Sequence, residues 1–120
     1  MSYDDLVNNI MTQNPSITAI AIESNGSIIY QTSNWDLSGD LSSVIGIWSS
    51  SQGGGSLNIQ GIKYICLEVI PERLIATNVK GQGHIVAFKG NSGNRIITYV
   101  SPDGDTRGAL AVLTELAAYF

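Results

Sequence analysis

The chain has 120 residues, 43% of them hydrophobic, with one cysteine and a formal net charge of −4. That length suits one domain, residues 1–120, whose core is large enough to fold without metals or disulfides. A lone cysteine excludes an intrachain disulfide, and an acidic total without a basic run argues against nucleic acid as a partner.

Ser2-Tyr3-Asp4-Asp5 opens a helix, with Ser2 as N-cap and two acids in the first turn, where the helix dipole favours them. Tyr3, Leu6, Val7, Ile10 and Met11 fall on one helical face, and Asn14-Pro15 ends the element. Ile17–Ile22 and Ser27–Thr32 are strand-like and flank Asn25-Gly26, the preferred pair for a type I′ hairpin turn. Asn34-Trp35-Asp36 reads as a loop. Asp40–Ser50 reads as a helix with Leu41, Val44, Ile45 and Trp48 on one stripe, and Ser49–Ser56 as a flexible Ser/Gly loop.

Five short apolar runs follow: Leu57–Gln60, Ile62–Val69, Arg73–Val79, His84–Lys89 and Arg95–Val100. Gly61, Pro71-Glu72, Gly81-Gln82-Gly83 and the Gly90–Asn94 segment separate them, which is the strand-and-turn signature. Connections this short leave no room for a crossover helix, so the runs form an antiparallel meander. Pro102-Asp103-Gly104-Asp105 is a turn, with Asp105 or Thr106 capping a last helix over Arg107–Phe120. Ala109, Val112, Leu113, Leu116, Ala117 and Phe120 supply its inward face. The fold class is α+β: a central antiparallel sheet with the terminal helices side by side on one face and the short helix on the other.

Residues 1–62 contain no Lys or Arg and carry Asp4, Asp5, Glu23, Asp36 and Asp40. Every base (Lys63, Arg73, Lys80, Lys89, Arg95 and Arg107) lies in the second half, where Glu68, Glu72, Asp103, Asp105 and Glu115 balance them. Scattered bases of this kind are solvated charges or line a surface for an acidic partner. No apolar run approaches the roughly 20 residues of a membrane span. The first residues carry acids where a signal peptide needs bases, so a soluble cytoplasmic chain is expected. Cys66 sits inside a strand pattern and reads as a buried thiol.

Catalytic constellations are missing. His84 is the only histidine, and one His with one Cys does not make a typical zinc site, so neither metal nor cofactor is expected. No nucleophile elbow, Walker loop, zincin helix or dinucleotide fingerprint occurs. Gly53-Gly54-Gly55 follows no strand and precedes no GK[ST], which argues against a phosphate loop. Gly81-Gln82-Gly83 opens a strand and reads as a turn, and Asp103 with Asp105 reads as helix capping rather than a cation site. The pattern points to a binding module rather than an enzyme.

The order of these motifs resembles profilin, and most of all the profilins of Asgard archaea. Met1-Ser2-Tyr3 resembles the family's MSW-type start, with Tyr3 in place of Trp. Thr18–Ile22 and Asn25–Gln31 resemble its first hairpin, and Gly61-Ile62-Lys63-Tyr64 its G-x-K-Y. Leu74–Ile85 resembles its strand, basic glycine turn and next strand, and Glu115–Phe120 its final helix. The resemblance implies an actin-monomer binder, with actin or an archaeal actin homologue as partner and the protein itself a monomer. It would suppress nucleation, limit growth at one filament end and aid nucleotide exchange, with no catalytic residue of its own. Carried onto this chain, the actin surface falls on Lys63, Ile65 and Leu67, then Thr77 and Val79, then His84 and Val86. It continues to Arg107, Ala111 and Glu115 on the last helix. The resemblance also implies proline-rich partners, through Tyr3, Trp35, Tyr119 and Phe120, and phosphoinositides. The family's hairpin Trp aligns with Ile29. The alternatives are a roadblock or longin-type module regulating a small GTPase, which would dimerise, and a PAS-like sensor, which needs a ligand cavity between helices and sheet.

Overall fold

The computed structural model describes residues 2–50 and 55–120. Helix α1 spans Tyr3–Gln13. Ser2 caps it by accepting from the Asp5 N–H at 3.1 Å, with Asp4 and Asp5 in the first turn. Asn14 leaves helical geometry at φ −138°, ψ 91°, as the Pro15 ring requires of its predecessor. Leu6, Val7 and Ile10 are buried, with Tyr3 and Met11 half-buried beside them.

Strands β1 (Ile17–Ser24) and β2 (Ser27–Gln31) form the expected hairpin. Asn25 (φ 51°) and Gly26 (φ 85°) are both left-handed, as a type I′ turn demands. Gln60 (φ 50°) and Gly61 (φ 80°) have the same geometry and join β3 (Ser56–Ile59) to β4 (Ile62–Ile70). The meander continues through β5 (Arg73–Thr77), β6 (His84–Lys89) and β7 (Arg95–Val100). Strand order is β2-β1-β7-β6-β5-β4-β3, with every neighbour antiparallel. The pairing of β1 with β7, in which Ile20 faces Thr98 and Ile22 faces Ile96, joins hairpin and meander into one sheet.

Each face of the sheet carries its own core. Helix α1 and helix α3 (Thr106–Glu115) cover one face, where Leu6, Ile10, Ala109 and Leu113 meet Ile20, Ile22, Val86, Ile96 and Val100. Helix α2 (Leu41–Ser50) covers the other, where Leu41, Val44 and Trp48, with Trp35 and Leu37 from the preceding loop, meet Ala21, Tyr64, Leu74, Ile85 and Ile97. Fully burying a side chain of this size stabilises by about 1.5–3 kcal/mol, so both faces contribute heavily.

Several boundaries differ from the expectations by a residue or two, and three differences have a visible cause. The Ser/Gly loop is shorter, because α2 runs to Ser50 and β3 starts at Ser56; Gly53 and Gly54 lie outside the described residues. Strand β5 ends at Thr77, because Asn78 turns away to organise the next loop. Helix α3 ends at Glu115, and a 3₁₀ turn over Ala117–Tyr119 follows. The tighter turn buries Phe120 and lets the Ala117 and Phe120 carbonyls accept from the Asn91 and Ser92 N–H groups, each at 2.9 Å. Gly90 sits so close that a Cβ there would overlap the Phe120 carbonyl.

Candidate functional site

Helices α1 and α3 do not reach across the whole sheet. They pack on β1 and β6, leaving the same face of β4 and β5 uncovered. Ile65 faces Thr77, Thr77 faces His84, and Ile75 faces Val86, so two-residue alternation puts these side chains on the helix side of the sheet. Val86 lies within the helix-covered core, whereas Ile65, Ile75 and Thr77 stay half-exposed. The open half of this face is the candidate site.

Local chemistry shapes it in three ways. First, β4 carries a bulge between Cys66 and Glu68. The extra residue, Leu67, is left 63% exposed, and the shift returns Val69 to the α2-side core. Second, Asn78 is a buried hub. Its side chain donates to the Lys63 carbonyl at 2.8 Å and accepts from the Lys80 and Gln82 N–H groups at 2.8 and 3.0 Å. That holds the β5–β6 loop against β4 and presents Val79 at 78% exposure. Lys63, Ile65, Val79 and Lys80 thereby line a shallow groove of about 250 Å³. Third, His84 links this face to the approach of α3. Its Nδ1 lies 2.7 Å from Thr77 Oγ1 and its Nε2 lies 3.2 Å from the Pro102 carbonyl. A carbonyl only accepts, so Nε2 carries the proton, and in the neutral ring Nδ1 accepts from the Thr77 hydroxyl.

Charge surrounds the exposed apolar groups. Among the described residues, Lys63, Lys80 and Arg107 form no ion pair, while Arg73 pairs with Glu68 at the β4–β5 end. Arg107, Ala111 and Glu115 form one exposed stripe of α3, opposite the inward Ala109 and Leu113. Asp105 caps this helix, accepting from the Arg107 N–H at 3.0 Å.

The structure thus brings Lys63, Ile65 and Val79 together in the groove, sets Thr77 and His84 beside it and exposes Leu67 at the bulge. One expectation is corrected: Val86 is fully buried and belongs to the core. Alternation assigns it to the correct face, yet α3 covers that part of the face. Half-exposed Ile75 was missed; its pairing with Val86 is what identifies it.

The expected aromatic group is only partly assembled. Tyr3 sits against Tyr30, ring centroids 6.4 Å apart and planes tilted by 54°, and Tyr119 is 49% exposed. Trp35 is buried in the α2-side core, on the opposite face, so it does not join Tyr3, whereas Phe120 is buried within the core cluster that Tyr3 packs against. Tyr30, rather than Ile29, is the hairpin residue on this side; it faces Ile22 across the hairpin. The Tyr30 hydroxyl donates to Asp4 at 2.9 Å, and that bond raises its pKa, with burial and the carboxylate charge adding to the effect.

No group of three His, Cys, Asp or Glu side chains able to hold a metal occurs among the described residues. Burial raises the Cys66 pKa, keeping the thiol protonated and unreactive. No helix among the described residues is long and apolar enough to cross a membrane.

An antiparallel sheet between α1 and α3 on one face and α2 on the other, with half of the first face left open, defines an α+β sandwich with one exposed sheet surface. No family model matches the chain. It is 38% identical over 117 residues to Odin profilin from Odinarchaeota yellowstonii, spanning 98% of this chain and 94% of that one. It is 39% identical over 122 residues to Loki profilin-1 from Lokiarchaeum, spanning 95% and 88%. Among solved structures, a Loki profilin-2 in complex with rabbit actin superimposes with a TM-score of 0.88 at 32% identity, covering 99% of this chain and 96% of that one. The chain belongs to the profilin family, and its curated relatives are profilins of Asgard archaea.

Proposed function

We propose that this chain binds monomeric actin, eukaryotic or archaeal, through the open half of its sheet and the exposed stripe of α3. The observation that carries this reading is the uncovered face itself. Leu67 and Val79 are held in solvent beside Ile65 by a bulge and a buried asparagine, which is costly unless a partner covers them. The charges of Lys63, Lys80 and Arg107, unpaired among the described residues, are complementary to an acidic surface. A similar profilin has been solved with rabbit actin, which supports actin as that partner.

In this reading Lys63, Ile65, Leu67, Thr77, Val79, His84, Arg107, Ala111 and Glu115 contact actin. The protein acts as a cytoplasmic monomer that occupies one end of the actin subunit, suppressing nucleation and limiting growth at one filament end. Binding of proline-rich segments would fall to Tyr3, Tyr30 and Tyr119, and phosphoinositide binding to the scattered bases. Pyrene-actin assembly tests the main point. Increasing concentrations of this chain should lengthen the lag, and Lys63→Glu should weaken the effect. An unchanged lag with both proteins, on rabbit actin and on an archaeal homologue, would contradict it.

A further inference from the structure

A second cavity, of about 220 Å³, opens on the α2 side of the sheet and shares Ile62 with the groove of the proposed actin face. Trp35, Tyr64 and Tyr99 line it together with apolar Ala19, Ile59 and Ile62 and polar Thr18, Asn34 and Gln60. No charged side chain lines it.

Its walls are fixed by hydrogen bonds. Asn34 Nδ2 donates to the Thr18 carbonyl at 2.9 Å, the Gln60 N–H to Asp40 at 2.9 Å, and the Tyr99 hydroxyl to the Gln82 carbonyl at 2.8 Å. Tyr64 is the exception. It is 1% exposed, yet its hydroxyl has no hydrogen-bond partner among the described residues. Arg95 Nε is the one sealed side-chain atom without a partner among those residues, so the Tyr64 hydroxyl is reached from the cavity. A phenol that opens on the cavity without a protein partner is free to donate to water or to a ligand acceptor.

We propose that this cavity is a binding site for a small neutral aromatic compound bearing a carbonyl, whose oxygen accepts from Tyr64 while its ring lies against Trp35, Ile59 and Ile62. Size and polarity set the class. A cavity of about 150 Å³ is large enough for benzene, so about 220 Å³ has room for one ring with a carbonyl substituent. A neutral ligand is favoured over an ionised one, because no counter-charge lines the wall. Tyr64 serves as a donor across the neutral pH range because burial, with a contribution from Tyr99, pushes its pKa up to about 12.

Titration with benzamide, followed by the indole N–H resonances of the two tryptophans, tests the site. The Trp35 signal should shift saturably, with a dissociation constant on the order of 1 mM. The Trp48 signal should hold still, because its Nε1 donates to the Ile70 carbonyl at 2.8 Å in the core. Tyr64→Phe removes only the unpartnered hydroxyl, so it should melt like the parent and bind benzamide about 5–10-fold more weakly. Benzoate should bind more weakly than benzamide. The proposal is overturned by a Trp35 signal that does not saturate, by equal affinity in Tyr64→Phe, or by benzoate binding as tightly as benzamide; in those cases the phenol is satisfied by water.

Discussion

Reversing the charge at Lys63 perturbs the proposed actin face with little effect on the fold. The ammonium group is exposed and unpaired, and only the main-chain carbonyl is engaged, accepting from Asn78 at 2.8 Å. Lys63→Glu should therefore leave the melting temperature within about 1–2 °C of the parent. At the rim of an interface, an exposed charge pair contributes about 0.2–1 kcal/mol. Reversal forfeits that and adds repulsion of similar size, about 0.5–2 kcal/mol in all, or about 2–30-fold in Kd. Screening sharpens the test, because the Debye length falls from about 10 Å at 0.1 M salt to about 3 Å at 1 M, and the difference between variant and parent should shrink with it. Lys89→Glu is the matched control. Lys89 alternates with Ile85 and Ala87 of the α2-side core, so it points away from the open face. Isothermal titration of all three proteins against monomeric actin at low and high salt gives the numbers. Equal losses for the two variants, or no loss for Lys63→Glu at low salt, would refute the assignment of this face.

Other consequences concern stability. Tyr64 ionises near 10.0 when unfolded and near 12 in the fold, so its contribution is fully present below pH 10 and is lost as pH rises to about 12. Alkaline denaturation should show a loss on the order of 2–3 kcal/mol across that window, and Tyr64→Phe should flatten it. Glu23 is almost fully buried and accepts from the Gly26 N–H at 2.7 Å and from Arg95 at 3.3 Å. Arg95→Ala should destabilise by about 3–5 kcal/mol in a denaturant titration, since it strands a buried carboxylate; Glu23→Gln in the same background should recover part of that loss. Gly90→Ala should lower the melting temperature by several degrees, about 1–3 kcal/mol, because the added methyl overlaps the carbonyl of Phe120.

Local signals in the sequence were readable where a single residue type settles the geometry. Ser2 and Asp105 cap their helices, Asn25-Gly26 closes the hairpin, and Pro15 stops α1, each for reasons contained within a few residues. Alternation along β6 also assigns Val86 and His84 to one face. It does not reveal that α3 covers the former and leaves the latter half-exposed, because coverage depends on where a distant helix docks. The bulges escaped for a related reason. The one at Leu67 returns Val69 to the core, and the one at Ile22/Glu23 shifts the hairpin register where Tyr30 meets Tyr3. Neither position carries the Gly that often marks a bulge. Trp35 is a large aromatic in a loop, a position that reads as surface until the tertiary contacts bury it on the α2 side.

Actin binding is tested most directly by an equilibrium titration of this chain against monomeric rabbit actin and an archaeal actin homologue. Saturable one-to-one binding to at least one of them, with Kd on the order of 10 μM or tighter, is the predicted result. Titrations that stay flat with both actins at concentrations well above that value would contradict it.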